Sequence, residues 1–460
     1  MRPRQLVPAV LLALLAAALP SGAAAPRFPE EAGHRGQPAR GTGVDLVPVS
    51  NWSYRGGTDL EFATVKGRDY AVVPSESGRG GTGGLRLFDL TADPATPPLV
   101  GFLACDVTQN DLQVRGSTVF MAVDEGATST TCFQQAGVTP ALGVLAIDIA
   151  DPRRPRAVGF APVPLGAHNT TLHPSGKWLY VSDSELTPTV TSVTTQEPTA
   201  QTGRIVVLDV RDVRRMRTVF TLPLPTGLSS HDISFNRKGT RGYSAALTET
   251  LILDTTRPQE PTVLTRIVDP AVNISHGADV TGDGTHLYVT DEQAGAVANG
   301  VCNVGGVSVY DIRNELVPVK TAFYAFHPQN SLTATTNSGQ LTCTAHVLDF
   351  GPAGTTFSNA GYAAGVRIVD TTNRLGLPEE LASFTPLDAD TWSAKQYKDR
   401  RYLYANDLTR GFDVYRWVPG KGAVDTRTAI EQRYDVRRLG STRFMDGAWC
   451  ANPVPSHHQE

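Results

Sequence analysis

Short apolar runs separated by Gly-rich or charged turns recur along the whole chain. One run appears seven times, with copies 45 to 61 residues apart. Two shorter strand patterns joined by a turn such as HPSGK or TGDGT precede each copy, and another β-rich stretch follows it. Such turns are typical of β-hairpins, while capped helical periodicity is almost absent. Six copies end in aspartate and the seventh in arginine: Asp89, Asp148, Asp209, Asp254, Asp311, Asp370 and Arg416.

Four short strands per unit in seven units predict an all-β, seven-bladed β-propeller over residues 43–420. Separate β-sandwiches are the alternative, but the order of motifs does not change along the chain. The seventh unit has only three strands before the chain becomes irregular. Gly43–Ser53 resembles the missing fourth strand and precedes the first unit. We therefore expect this N-terminal strand to close the last blade, which removes an exposed sheet edge.

The repeated strands GVRIVD, RIVVLD and TLILD resemble those of the LVIVD-repeat propellers of exported bacterial proteins. The resemblance covers roughly residues 43–417. It implies the propeller fold and export. It assigns no catalytic residues, because the activity of that family is largely undefined.

The first 25 residues have the pattern of a signal peptide. Arg2 and Arg4 precede an apolar run from Leu6 to Leu19, and small residues follow at Ala23–Ala25. The run is shorter than the roughly 20 residues that a membrane span needs. We expect a secreted or cell-surface protein, with a flexible leader over residues 26–42 and an irregular C-terminal tail over residues 421–460.

The charge balance excludes some partners. The chain has 41 basic and 45 acidic residues, and without Arg2 and Arg4 the balance is 39 against 45, a net charge of −6. No basic stripe is present, so we expect no nucleic-acid partner, and no second stretch is long enough to span a membrane. Gly-rich phosphate loops are missing too, so we expect no nucleotide cofactor. We expect a monomer.

Five cysteines in an exported chain predict disulfides. In the predicted propeller, the long loops between second and third strands share a face with the segments that enter the first strands. Cys132 and Cys302 belong to such loops, and Cys105 and Cys343 to such segments. We therefore expect the bridges Cys105–Cys132 and Cys302–Cys343, with Cys450 in the tail left as the odd thiol.

Histidines share one position in consecutive units. When the units are aligned on their first strands, four of the ten histidines of the chain fall in the opening column. First strands line the channel of a propeller, so these side chains should converge on the axis. Imidazole suits Zn, Cu, Fe and Ni. The column predicts a metal site formed by His168, His231, His276 and His346, with Thr58, Asn110 and Trp392 completing the channel wall.

Carboxylates occupy a second column, at the ends of the second strands. Asp183, Asp291 and Asp407 follow the first column by 15 residues, and Asp124 matches with a turn one residue shorter. Asp232 directly follows His231. Asp124, Asp183, Asp291 and Asp232 are therefore candidates to accept hydrogen bonds from metal-bound imidazoles. Turn capping is the alternative role for these residues.

Two functions follow from these patterns. In the first, a metal such as Fe, Cu or Zn makes the protein an oxidoreductase or a hydrolase acting on a small molecule. In the second, the histidines form a hydrogen-bonded polar plug or a structural site. The protein then binds a protein, glycan or cell-surface ligand through its rim loops. The sequence leaves open whether the protein is an enzyme.

Overall fold

The seven predicted blades are present in the computed structural model of the chain, as seven antiparallel sheets among the residues that the structure describes. Those residues are 28–76, 81–124, 130–184, 203–225, 227–292, 305–325, 344–351, 354–373, 377–398, 400–428 and 431. The all-β seven-bladed propeller is thereby confirmed. Within the described residues, no helix is long and apolar enough to cross a membrane.

Each blade follows the predicted order of four strands. The innermost strands are Glu61–Val65, Leu112–Arg115, Ala167–Leu172, Ile233–Phe235, Ser275–Val280, Leu348–Phe350 and Thr391–Gln396. The second strands are Arg68–Ser75, Thr118–Val123, Trp178–Asp183, Arg241–Ala245, His286–Asp291, Thr356–Ala360 and Tyr402–Asp407. The third strands are Gly84–Asp89, Gly143–Asp148, Arg204–Asp209, Thr250–Asp254, Val307–Asp311, Val366–Asp370 and Gly411–Trp417. The outermost strands are Leu99–Ala104, Arg156–Pro162, Arg217–Pro223, Thr262–Ile267, Val319–Tyr324, Glu379–Pro386 and, in blade 7, Leu46–Ser53.

The third strands are apolar on both faces because neighbouring blades cover both. In RIVVLD, Ile205 and Val207 pack in a cluster with blade 4. Val206 and Leu208 pack in a different cluster with blade 2. Since successive side chains of a strand point to opposite faces, a strand buried on both sides becomes a continuous apolar run. This packing explains why the repeat is the strongest signal in the sequence.

The aspartate that ends each repeat has a structural role. Its carboxylate accepts a hydrogen bond from a backbone N–H in the turn that follows the strand. The donor is the residue two positions after the aspartate in five blades and three positions after it in blade 1. Aspartate is favoured in turns for this local hydrogen bond. Asp209 also holds the Arg211 guanidinium in a two-pronged contact, at 2.9 and 2.6 Å.

The N-terminal strand closes the ring as predicted, because Leu46–Ser53 pairs with Gly411–Trp417. The chain turns at Asp45, whose φ of 58° is left-handed. As a consequence Gly43 and Val44 belong to a separate strand, Gly41–Val44, which extends blade 6 by pairing with Glu379–Pro386.

The leader and the tail contribute more structure than the sequence predicts. Within the leader, residues 26–42, His34–Gly36 pairs with the closing strand of blade 7, after a short 3-10 turn at Glu30–Ala32. Within the tail, residues 421–460, Ala423–Asp425 pairs with Gly41–Val44. Strands of three or four residues are too short to produce a readable alternation, and they form here because open sheet edges offer them partners.

One predicted disulfide is present. Cys105 and Cys132 are bridged, with their Cα atoms 5.4 Å apart. Cys132 lies in the helix Thr130–Ala136, which packs on the outermost strand Arg156–Pro162 of blade 2. Cys302, Cys343 and Cys450 lie outside the described residues, so the second bridge and the odd thiol stay predictions. Most of the long loops proposed as binding loops also lie outside the described residues.

Candidate metal centre in the channel

Two of the four histidines, His168 and His276, enter the channel from irregularities at the start of the innermost strands. In blade 3, Ala167 pairs with Asp183 and Asn169 with Ser182, so His168 is left between two paired residues. His276 and Trp392 sit at the same kind of register shift in blades 5 and 7. A bulge of this kind bends the strand and re-aims a side chain, often beside a functional site. The bulge therefore directs the ring towards the axis.

The four imidazoles form one continuous array. Consecutive ring centroids, from His168 through His231 and His276 to His346, are 4.2, 4.0 and 4.1 Å apart. Each residue is at most 3% exposed. The Trp392 ring continues the array, 4.8 Å from His346. Thr58 and Asn110, the other two wall residues, are buried and hydrogen-bonded to each other. The four histidines and Trp392, which share one column in the sequence, are thus neighbours in space.

The half of the array formed by His168 and His231 is hydrogen-bonded internally. The two Nε2 atoms are 2.9 Å apart, so the N–H of one ring donates a hydrogen bond to the other. Asp124 lies 2.8 Å from Nδ1 of His168, as predicted for a carboxylate behind a histidine. Asp232 lies 3.3 Å from Nδ1 of His231 and 3.9 Å from Nδ1 of His276.

The other half, His276 and His346, surrounds a carboxylate that the sequence patterns do not predict. Nε2 of His276 is 3.9 Å from Oε2 of Glu292, and Nε2 of His346 is 3.8 Å from Oε1. The Tyr362 hydroxyl donates a hydrogen bond of 2.7 Å to Oε1 of Glu292. Nδ1–H of His346 donates to the Trp392 carbonyl at 2.7 Å. Each of these side chains is almost fully buried.

In the part of the chain that the structure describes, two groups of three residues have the composition and spacing of a metal site: His231 with Asp232 and His276, and His276 with Glu292 and His346. Within each group the candidate ligand atoms all lie within 4.8 Å of one another. His276 is common to both groups.

The surroundings keep two of the imidazoles neutral. Burial, together with the neighbouring imidazole charges, lowers the pKa of His276 well below 6.5. Burial and the charge of His168 do the same to the pKa of His231. Burial also opposes the charge of His168, but the hydrogen bond and charge of Asp124 outweigh it and raise the pKa of His168. A neutral imidazole has the lone pair that a metal requires.

Asp183 and Asp291, two of the predicted partners of histidine, accept hydrogen bonds from backbone N–H groups. Asp183 accepts a hydrogen bond from the backbone N–H of Leu165 and pairs with Arg204. Asp291 accepts hydrogen bonds from the backbone N–H groups of Ile274 and Gly305. Both carboxylates hold the segment that enters the first strand of their own blade. Turn capping, the alternative role, therefore accounts for their recurrence.

A cavity of about 290 Å³ extends from the histidine array along the axis. The sequence column three positions after the histidines supplies much of its lining, which includes Glu61, Asp279, Asp349 and Lys395. The Lys395 ammonium is 2.8 Å from Glu61 and 3.4 Å from Asp59. Burial opposes the charge of Lys395, but Asp59, Glu61 and Asp349 outweigh it and raise the pKa of this lysine well above 10.5. Burial raises the pKa of Asp279 and of Asp349 to about 7.

Some of these additional residues have a weak signal in the sequence and some have none. Glu61, Asp279, Asp349 and Lys395 share one column of the repeat, so a search for charged residues at every position of the innermost strands would find them. Glu292 has one counterpart, because Glu125 also directly follows an aspartate of the second column. Tyr362 has no such column. Glu292 directly follows a second strand and Tyr362 lies between strands, and both reach the site only through the packing of blades 5, 6 and 7.

Known structures share the fold of this chain at very low sequence identity. The periplasmic gluconolactonase PpgL of Pseudomonas aeruginosa superposes with a TM-score of 0.54 at 12% identity, covering 78% of this chain and 96% of that one. The β-propeller domain of Cps50 (Swd1) from Myceliophteria thermophila has a TM-score of 0.53 at 12% identity, with 81% and 99% covered. A putative 6-phosphogluconolactonase of Bacteroides uniformis has a TM-score of 0.51 at 11% identity, with 76% and 96% covered. No family model and no curated relative matches the sequence. These likenesses establish the seven-bladed propeller fold.

Proposed function

We propose that this protein is an exported propeller that holds a transition metal in its histidine array and uses it as an oxidoreductase or a hydrolase. Its substrate would be a small molecule bound in the axial cavity. Export is supported by the signal-peptide pattern, and by the Cys105–Cys132 bridge, because such bridges persist in oxidising compartments.

The spacing around Glu292 carries the proposal. A hydrogen bond between a ring nitrogen and the Glu292 carboxylate would bring the two atoms to about 2.7–3.2 Å. The Nε2 atoms of His276 and His346 are instead 3.9 and 3.8 Å from the Glu292 oxygens. Nitrogen and oxygen ligands at about 2.0–2.2 Å from one ion are roughly 3.3–3.5 Å apart at a tetrahedral angle and up to roughly 4 Å apart at wider angles. The spacing is therefore too long for hydrogen bonds between these atoms and short enough for an ion between them.

In this proposal the groups behind the histidines and the residues that line the cavity have different roles. Asp124 and the Trp392 carbonyl orient the rings of His168 and His346, as partners behind metal ligands do. The four histidines of the array line the cavity. The volume of the cavity limits the substrate to a small molecule, and its many carboxylates disfavour an anionic one. The bound metal would supply either Lewis-acid or redox chemistry.

Metal analysis of the purified mature protein tests the proposal. We expect about one equivalent of Fe, Cu or Zn in the wild type and near-background metal in His276→Ala and His346→Ala, with folding preserved because blade packing supplies the core. His34→Ala is the control, since His34 is exposed on a strand of blade 7. A metal-free protein that stays fully stable, and that acquires no metal from solution, would favour the binding propeller instead.

A further inference from the structure

We infer that the metal is held by two imidazoles and one carboxylate, from His276, His346 and Glu292, and that Tyr362 is the positioning residue for Glu292. This inference rests on the proposed function and changes its ligand set. His168 and His231 then lie beside the metal as a hydrogen-bonded pair and not as ligands.

The Glu292 carboxylate lies between the two rings, with one oxygen towards each. Oε1 faces Nε2 of His346 at 3.8 Å and Oε2 faces Nε2 of His276 at 3.9 Å. The side chains of all three residues are at most 2% exposed. An ion among these atoms would be enclosed by protein on the Glu292 side.

The tautomer of His346 is suited to this arrangement. Its Nδ1 is 2.7 Å from the Trp392 carbonyl oxygen, which can only accept a hydrogen bond. Nδ1 must therefore carry the proton, and in the neutral ring Nε2 carries the lone pair. That lone pair is on the atom nearest to Glu292.

The nitrogen atoms of His168 and His231 are engaged with each other. Their Nε2 atoms are 2.9 Å apart, which is the length of a normal hydrogen bond. The competing group around Asp232 is also less suitable. The Asp232 side chain is 21% exposed, against 2% for Glu292.

Tyr362 connects the carboxylate to the strand that orients His346. Its hydroxyl donates to Glu292, and its backbone forms hydrogen bonds in both directions with Thr391, the residue before Trp392. The φ of Tyr362 is 44°, in the left-handed region that bulky residues seldom adopt. Leu247 in blade 4 has the same left-handed backbone and the same pair of backbone hydrogen bonds, with Ser275, so this connection recurs in the fold and fixes the position of Tyr362.

Two imidazoles and one carboxylate are a ligand set of known preference. It is the composition of non-haem Fe(II) sites and of catalytic zinc sites, both of which keep positions open for substrate or water. Cu(I), by contrast, favours soft sulfur ligands. The proposed site is therefore one for Fe(II) or Zn²⁺, with its open side towards the cavity.

Titration of the metal-stripped full-length mature protein with Co²⁺, followed by visible absorption, tests this assignment. We expect Glu292→Gln, His276→Ala and His346→Ala to abolish the wild-type Co²⁺ spectrum. Tyr362→Phe should weaken Co²⁺ binding roughly 10–100-fold and shift the bands, because an outer partner of a ligand has been removed. His168→Ala and His231→Ala should keep Co²⁺ binding within a few-fold of wild type.

The matched controls are Tyr324→Phe and Glu380→Gln. Tyr324 donates the same 2.7 Å hydrogen bond to Glu380, but on the outermost strands of blades 5 and 6. A loss of spectrum in these controls, or an unchanged spectrum in Tyr362→Phe, would overturn the role of Tyr362. If Glu292→Gln binds Co²⁺ like the wild type while His168→Ala and His276→Ala fail, the four-histidine site stands and this ligand set is wrong. If the wild type itself binds no Co²⁺, the proposed function fails with it.

Discussion

Arg86 connects the N-terminal segment to the propeller, and its removal gives a quantitative test of the structure. This guanidinium is fully buried in blade 1 and stacks on Tyr54, with Cζ 3.8 Å from the ring centroid. Nε donates to the Ala32 carbonyl at 2.8 Å, Nη2 to the Glu31 carbonyl at 2.7 Å, and Nη1 to the Ser75 hydroxyl at 2.6 Å. Burial lowers the pKa of Arg86 to about 10, so the group is still charged at neutral pH.

Deletion of residues 28–33 should destabilise the wild type strongly, because it removes two of these three acceptors from a buried cation. Hydrogen bonds to a charged group contribute about 1.5–3 kcal/mol each, so the two amount to about 3–6 kcal/mol. In Arg86→Met no buried charge remains, and the same deletion should cost only the packing of the segment. The coupling between the two changes should therefore be about 3 kcal/mol or more.

The assay is urea unfolding, followed by tryptophan fluorescence, of the wild type, the deletion, Arg86→Met and the double variant. The packing lost with the segment is common to both deletions and cancels in the cycle. A coupling free energy below about 0.5 kcal/mol would refute the reasoning. It would mean that water reaches the guanidinium as readily as the backbone carbonyls do.

Two further predictions concern stability. The Cys105→Ser/Cys132→Ser double variant should lose about 3.5 kcal/mol of unfolding free energy, because the bridge closes a loop with a sequence separation of 27 residues. A urea midpoint equal to that of the oxidised wild type would contradict this prediction. Arg211, through its hydrogen bonds, lowers the pKa of Asp209 from 3.8 to about 2, so Asp209 stabilises the fold above pH 3.8 and loses this contribution as the pH falls towards 2. Between pH 5 and pH 2 the unfolding free energy should fall less in Asp209→Asn than in the wild type. The difference between the two losses should be at most about 2 kcal/mol, because Arg211, the partner of Asp209, is exposed to solvent.

The repeat and the position of the histidines can be predicted from the sequence because both follow from local geometry. Strands buried on two faces must be apolar along their whole length, so RIVVLD and its counterparts mark every blade. Equivalent positions of innermost strands lie at similar depth in a propeller. For that reason the column of His168, His231, His276 and His346 is enough to predict that their rings converge.

The roles of individual carboxylates cannot be predicted in the same way. Asp124 and Asp183 occupy equivalent positions, yet one contacts His168 and the other binds the backbone of Leu165 and the side chain of Arg204. The choice depends on the path of the chain that enters each blade, which differs from one blade to the next and is not encoded in the column. Turn residues therefore look alike in the sequence whether they cap a loop or orient an imidazole.

The sequence by itself determined the class of fold, the number of blades, the closure by an N-terminal strand and the set of buried imidazoles. The reason is that positions buried in every blade produce a residue pattern that repeats along the chain. Only the tertiary structure decided how those imidazoles are divided. Glu292 and Tyr362 reach His276 and His346 from loops of blades 5 and 6, and the Trp392 carbonyl comes from blade 7. Contacts between blades are separated by dozens of residues in the chain and have no fixed spacing. Their geometry is set by how the blades pack around the axis, which no local pattern of residues specifies.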